Sequence, residues 1–208
     1  MLKEQAINFV GTLSNTSKMP GKSISLPAQE CKTGSKLRKV KGSVCEKCYA
    51  MKGCYSWGNV QKALYNRLDK VNNTSSSDWV SGMVKLINKQ KYFRWHDSGD
   101  IQSIQHLDNI CKVVLLTPNT LHWLPTKEVK MVRDYLKSNE IPDNLNIRVS
   151  SPMIDQKPIK MHKSVNTSTV HTDKSYGFEC PAGGQGGACL DCRSCWNKDI
   201  KNVSYKLH

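Results

Sequence analysis

What this chain lacks narrows its reading first. In 208 residues no stretch approaches the roughly 18 consecutive apolar residues that a membrane span requires. The opening MLKEQAINFVG has no long apolar core of the kind that directs export. A cytoplasmic protein with no membrane partner is the expectation. Acidic residues are scarce, 17 Asp and Glu against 31 Lys and Arg, which leaves a formal charge of +14. A field of that sign attracts nucleic acid or another polyanion. No arginine-rich tail concentrates the charge, however, so a solvated basic surface accounts for it equally well. Aromatic residues make up only 7% of the chain. Trp57, Trp79, Trp95, Trp123 and Trp196 do not form the alternating basic and aromatic stripe of a base-stacking groove.

Cysteine, by contrast, is abundant: nine residues, an odd number, in a chain with no export signal. That combination argues for metal or redox chemistry rather than a disulfide framework. The first group follows the segment SISLPAQE and comprises Cys31, Cys45, Cys48 and Cys54. Cys45 and Cys48 form a Cys-x-x-Cys pair at metal-ligand spacing, and Cys31 can swing in from the end of the preceding strand. The surrounding loop is polar and contains glycine, without the apolar periodicity expected around inert core thiols. The second group, Cys180, Cys189, Cys192 and Cys195, lies in ECPAGGQGGACLDCRSCWN. Its Cys-x-x-Cys-x-x-Cys core is iron-sulfur spacing, while a closed tetrahedral zinc site could use the same thiolates. The glycines of AGGQGGA let backbone amides approach a bound group.

The length suits one domain. Residues 5–28 read as two short extended segments, AINFVGTLS and KSISLPA, joined by a turn at Met19-Pro20-Gly21, and 29–56 form the cysteine loop. Strand-helix repeats occupy 58–175, the C-terminal cysteine group 178–197 and a last strand 202–208. Within the repeats, a helix from Asn59 carries Val60, Ala63, Leu64, Leu68 and Val71 at helical spacing. A second, capped by Ser77 or Asp78, turns Trp79, Val80, Met83, Val84 and Ile87 inward. A strand over Tyr92–Trp95 runs into His96-Asp97-Ser98-Gly99-Asp100. Ser103 caps a helix that places Cys111 in the core. A strand over 120–124 is followed by a helix capped by Thr126, and LNIRVSS is a strand carrying Arg148, Ser150 and Ser151 at its end. A weaker strand covers Ser168–His171. Alternating strands and helices with short loops predict an α/β fold with a parallel sheet or barrel.

Strand ends of such folds share one rim, which gathers a candidate pocket. Asp97, Asp100, Lys127 and Arg148 are its candidate catalytic groups: an aspartate could hold an ammonium, the cations a carboxylate or phosphate. His96, Ser98, Gly99, Ser150 and His171 would contact a cofactor.

The segments SISLPAQECKTGS, VCEKCYA, YFRWHDSGDIQS, WLPTKE, IRVSSPMID and ECPA…CLDCRSCW…NVSY resemble a bacteriophage family called gene product eighty-eight, nearly end to end, which would place the protein in the cytoplasm of a host cell. More distantly, a strand leading into a three-cysteine loop followed by βα repeats is similar to the radical S-adenosylmethionine (SAM) superfamily. That likeness implies an incomplete (βα)6-like barrel, a [4Fe-4S] cluster on Cys31, Cys45 and Cys48 with Cys54 as an additional ligand, and SAM at the open iron. The spacing departs from the superfamily's, since thirteen residues separate Cys31 from Cys45. The expectation is a small cluster-dependent enzyme with one or two [4Fe-4S] clusters, the second on the C-terminal cysteines, where zinc is the alternative. Two other readings are a metal-stabilised basic module binding nucleic acid or a polyanionic host partner, and an electron-transfer protein.

Overall fold

A computed structural model describes residues 1–207. The chain opens with helix α1 (Lys3–Val10), then strands β1 (Ser14–Asn15) and β2 (Lys22–Ile24), and a short helix α2 (Lys32–Leu37) inside the cysteine loop. Helices α3 (Gly58–Asn73) and α4 (Ser76–Ile87) lead to β3 (Tyr92–Trp95), α5 (Ile104–Leu115), β4 (Leu121–Thr126), α6 (Val129–Tyr135) and β5 (Leu145–Ser150). Strands β6 (Asn166–His171), β7 (Phe178–Glu179) and β8 (Asn202–Lys206) complete the chain. The expected last strand was 202–208, of which His208 lies outside the described residues. No helix among the described residues is long and apolar enough to cross a membrane.

The expected strand over AINFVGTLS is instead helix α1. A short apolar run fits either period, and tertiary packing decides here: Ala6 and Val10, one helical turn apart, are fully buried. The Gln5 side chain accepts a hydrogen bond from the Leu2 amide at 2.8 Å, which satisfies one of the free donors at the helix start. Two cap assignments also move. Ser75, not Ser77 or Asp78, caps α4 by accepting the Asp78 amide. Thr126 belongs to β4, and Glu128 is the residue preceding α6. Ser103 caps α5 as expected, accepting the His106 amide at 3.0 Å.

All eight strands form one sheet in the order β1-β2-β3-β4-β5-β6-β8-β7. Among the described residues only the β1–β2 pair of strands is antiparallel, and the sheet they form is open, with β1 and β7 as its edges. Side chains alternate between the faces. One face presents Ile24, Phe93, Trp95, Leu124, Leu145, Ile147 and Val149 to an apolar core with Trp79, Met83 and Ile87 of α4, Leu107 and Ile110 of α5, and Val132 of α6. Cys111 is buried there too, a core residue as expected. The opposite face is polar. Ser23, Arg94, Trp123 and Asn146 stand side by side in register across β2 to β5. The C-terminal cysteine segment packs on this second face through Cys195 and Trp196, which cluster with Trp123 and Val203.

Candidate functional site

Three cysteines of the first group reach the cavity along the polar face by separate tethers. Cys31 closes a turn of 3-10 helix, Ala28–Glu30, and stands at the head of α2. That helix has no cap of its own. Glu128, just after β4, supplies one from across the fold: its carboxylate accepts the Thr33 amide and the Thr33 hydroxyl, both at 2.8 Å. The stretch before Cys45 is pinned to the segment after β5 by an antiparallel bridge, Ser43 to Met153, with the Val44 amide donating to the Pro152 carbonyl at 2.9 Å. Cys48 begins the turn Tyr49–Met51, and the Tyr49 hydroxyl donates to the Asp97 carbonyl. The Asp97 carboxylate accepts from Ser23 at 2.9 Å and from Tyr55 at 2.8 Å. Thus Asp97 ties the cysteine loop to the sheet, and its oxygens are already engaged.

The cavity holds about 630 Å³, and Cys31, Cys45, Cys48, Arg94, Asp100 and Lys127 line it. Gly34, on α2, faces the thiols. A β-carbon built there would lie 3.6 Å from the Cys31 Sγ, 3.7 Å from the Cys45 Sγ and 3.0 Å from the Cys31 Cβ. The two sulfurs therefore converge on the space that the missing side chain leaves. Burial pushes the Cys31 and Cys45 thiols up, and the neighbouring thiols and Asp100 add to this. Lys127 and Arg38 oppose the rise by favouring thiolate. Asp100 is held by Thr126 Oγ1 at 2.6 Å and by the Ile101 and Lys127 amides at 2.8 Å each. Burial still outweighs those three donors and raises its pKa to about 6. Burial also lowers the pKa of the Lys127 ammonium, against the pull of the thiols and Asp100.

Most expected pocket residues line this one cavity: His96, Asp97, Ser98, Gly99, Asp100, Lys127 and Ser150 together with the three cysteines. Several are occupied by the fold itself. Ser98 donates to the Leu26 carbonyl at 2.9 Å, and Gly99, at φ +78°, packs so closely on Leu26 that a β-carbon would meet its carbonyl oxygen at 2.7 Å. Ser150 pairs with the Ser168 hydroxyl at 2.9 Å. His96 is buried with neither ring nitrogen hydrogen-bonded among the described residues, and burial, with Arg94 nearby, holds its pKa at about 3.

Three expected site residues lie elsewhere. Cys54 is exposed on the turn Gly53–Ser56 and does not line the cavity. His171 is buried against the Ser204 hydroxyl at 2.8 Å. Arg148 is fully buried and donates to the carbonyls of Thr167, Ser194, Cys195 and Asn197 at 2.8–3.3 Å. Its task is to anchor the C-terminal cysteine segment, since four of the guanidinium's five N–H donors are spent on carbonyls, three of them in that segment. The carbonyl-rich turns after Cys192 do not show in the cysteine spacing, so the sequence offered no reason to assign Arg148 inward.

Within the second group, burial raises the Cys180, Cys189 and Cys195 thiols, and neighbouring thiols add to the rise: Cys192 for Cys180, Cys180 and Cys192 for Cys189, and Cys180 for Cys195. Cys180 also borders a second hollow of about 590 Å³. Burial raises the Cys195 thiol to about 12, and its sulfur lies 3.3 Å from the Tyr205 hydroxyl. Tyr205 itself lines the large cavity, so it stands between that cavity and Cys195, although none of the four C-terminal cysteines lines it. As placed, no three His, Cys, Asp or Glu side chains among the described residues are grouped to hold one metal ion. Two functional candidates escaped the sequence reading. Arg94 was masked by its place in YFRW, although the period of two sets it on the face opposite Phe93 and Trp95. Glu128 carried no signal, because its partner Thr33 is distant in sequence.

Comparison with curated proteins and with solved structures returned no match. A family model described as Gene product 88 matches residues 2–198. That span takes in both cysteine groups and every strand up to β7, and the chain belongs to the Gene product 88 family.

Proposed function

We propose that this protein is a small iron-sulfur enzyme of radical-SAM-like type, with a [4Fe-4S] cluster held by Cys31, Cys45 and Cys48. The observation that carries the reading is that those three cysteines line one cavity together with Asp100 and Lys127. The donor set fits: thiolates are the ligands of such clusters, and each thiolate binds a different iron, so they need not crowd around one ion. The space over Gly34 lets the sulfurs approach. Lys127 and Arg38 offset the negative charge that accumulates when the thiols deprotonate. When bound, a cluster with one iron free of protein ligands supplies single-electron reduction, and with SAM its reductive cleavage.

Topology supports the finer fold reading, an incomplete (βα)6-like barrel. Strands β2 to β6 are adjacent in chain order, unlike a doubly wound sheet, where the order reverses. Helices α4, α5 and α6 pack against one face, and the polar opposite face borders the cavity. Around it Asp100 and Lys127 are placed to contact a bound molecule, and the buried neutral His96 offers an unpartnered nitrogen. The C-terminal cysteines would hold an auxiliary cluster or a zinc ion.

Anaerobic purification with iron, sulfide and zinc analysis and a visible spectrum tests the proposal. Brown protein with nearly equal iron and sulfide, whose reduced EPR signal changes on adding SAM and loses that change in Cys45→Ala, is the expected result. Colourless protein containing only zinc rejects the enzyme reading. A cluster indifferent to SAM and destroyed by Cys54→Ala leaves electron transfer or structure as its role.

A further inference from the structure

Four arginines have guanidinium nitrogens inside the fold, and three donate to carbonyls: Arg38, whose Nε is unpartnered, gives Nη2 to the Ala28 carbonyl at 2.9 Å. Arg148 uses every nitrogen on the backbone of β6 and the C-terminal segment. Arg67, 5% exposed, donates to the Thr12 and Ser25 carbonyls at 2.6 and 3.3 Å. Arg94 differs. Its guanidinium lies over the Trp123 ring, with Cζ 4.5 Å from the centroid. Its polar contacts are two long ones, Met19 Sδ and the Tyr49 hydroxyl, both at 3.5 Å. The Nε atom is buried with no partner, and no carboxylate lies within ion-pair distance among the described residues. The nearby Asp97 carboxylate is taken by Ser23 and Tyr55.

A guanidinium presents five N–H donors in a rigid fork. Held over an indole, without an acid and on the wall of a cavity of about 630 Å³, it is available for two parallel bonds to an oxyanion. The rest of the wall agrees in sign. Lys47, Lys52, Lys127 and Lys206 also line the cavity, against Asp97 and Asp100, and both aspartates already accept hydrogen bonds from the protein.

We infer that Arg94 is the anchor for a carboxylate or phosphate group on the small molecule that occupies this cavity. The inference rests on the cavity being the working site, but it needs neither cluster nor SAM. Its partners are Trp123, which lies beneath the guanidinium, and Tyr49, whose hydroxyl brings the Cys48 turn beside the same anion.

Calorimetric titration of inorganic phosphate and, separately, of acetate into the purified full-length protein tests this, with Arg94→Lys and Arg94→Gln alongside. Saturable binding of at least one anion is expected, weakened about tenfold or more in Arg94→Lys, because an ammonium keeps the charge and loses the fork. The anion that binds tells a phosphorylated ligand from a carboxylated one. Binding should vanish in Arg94→Gln, and a melting temperature measured without anion verifies that this variant folds. Absence of saturable binding to the wild type, or equal binding by wild type and folded Arg94→Gln, overturns the inference. Zinc-only protein that binds phosphate through Arg94 would keep it while removing the cluster reading.

Discussion

Glu128 caps a helix that is 95 residues away in sequence, both carboxylate oxygens meeting Thr33 at 2.8 Å. This one contact fixes the helix that starts at Cys31 to the end of β4, where Lys127 stands.

Glu128→Ala should therefore lower the unfolding free energy by roughly 2 kcal/mol, the scale of hydrogen bonds to a charged acceptor plus the helix end left uncapped. Glu128→Gln, which keeps one acceptor, should fall between. Urea unfolding of both, with Thr33→Ala as the second arm of a double-mutant cycle, measures the coupling. Additive effects of Glu128→Ala and Thr33→Ala would show that the clamp is not energetic. If the clamp also positions Cys31, iron per protein should drop in the same order.

Gly34 separates metal loading from stability. Alanine is better than glycine inside a helix by about 1 kcal/mol, but the added β-carbon would press on the Cys31 Cβ at 3.0 Å and offset that gain, so Gly34→Ala should melt close to the wild type. Its methyl group would nevertheless fill the space between the Cys31 and Cys45 sulfurs, at 3.6 and 3.7 Å. The expected outcome is a well-folded protein with clearly reduced iron and sulfide. Full loading with an unaltered spectrum would mean that the cluster sits away from that space.

Much of this site was legible because its signals are local. The strand Tyr92–Trp95 with its polar end and the helical period of residues 58–73 and 104–115 depend on neighbours in sequence, and each stands where it was expected. What escaped depends on distant partners. Residues 3–10 have an apolar pattern that suits strand or helix, and only packing of Ala6 and Val10 against α4 decides for helix. Arg94 and Arg148 both lie on strands with their side chains on the polar face, and no local feature separates them. The difference arises because the C-terminal segment covers Arg148 with carbonyls and leaves Arg94 facing the cavity.

His122 predicts an acid-labile core. The Trp95 indole N–H donates to its Nδ1 at 3.3 Å and its Nε2 lies 2.9 Å from the Thr117 hydroxyl, a network that suits the neutral ring. Burial lowers its pKa to about 3, against an ordinary value of 6.5. Between those values the unfolded chain binds a proton that the folded protein refuses, so stability rises with pH across the window and is lost as pH falls from 6.5. The contribution approaches about 1.4 kcal/mol per pH unit for one proton. His122→Gln should remove that much of the slope between pH 6 and pH 4 in urea unfolding. An unchanged slope would place the acid sensitivity in other groups, of which buried His96 and His106 are the first candidates.

Arg148 provides the test that distinguishes the two cysteine groups. Its guanidinium holds the Ser194, Cys195 and Asn197 carbonyls, and Asn146 holds the last two as well, at 2.9 and 3.1 Å. Arg148→Met matches the apolar stem and removes every donor, leaving buried carbonyls short of partners, at a cost of roughly 3 kcal/mol. Arg148→Lys keeps the charge and recovers only part of the fork, so it should lose less. Because the anchored carbonyls flank Cys195, any metal that the C-terminal group holds should be lost first, while iron on Cys31, Cys45 and Cys48, if they bind the proposed cluster, should remain. Metal analysis of the folded Arg148→Lys protein against Cys192→Ser reads this directly. Equal loss from both cysteine groups in Arg148→Lys would mean that the two sites fold as one unit, and that Arg148 supports both rather than the C-terminal one.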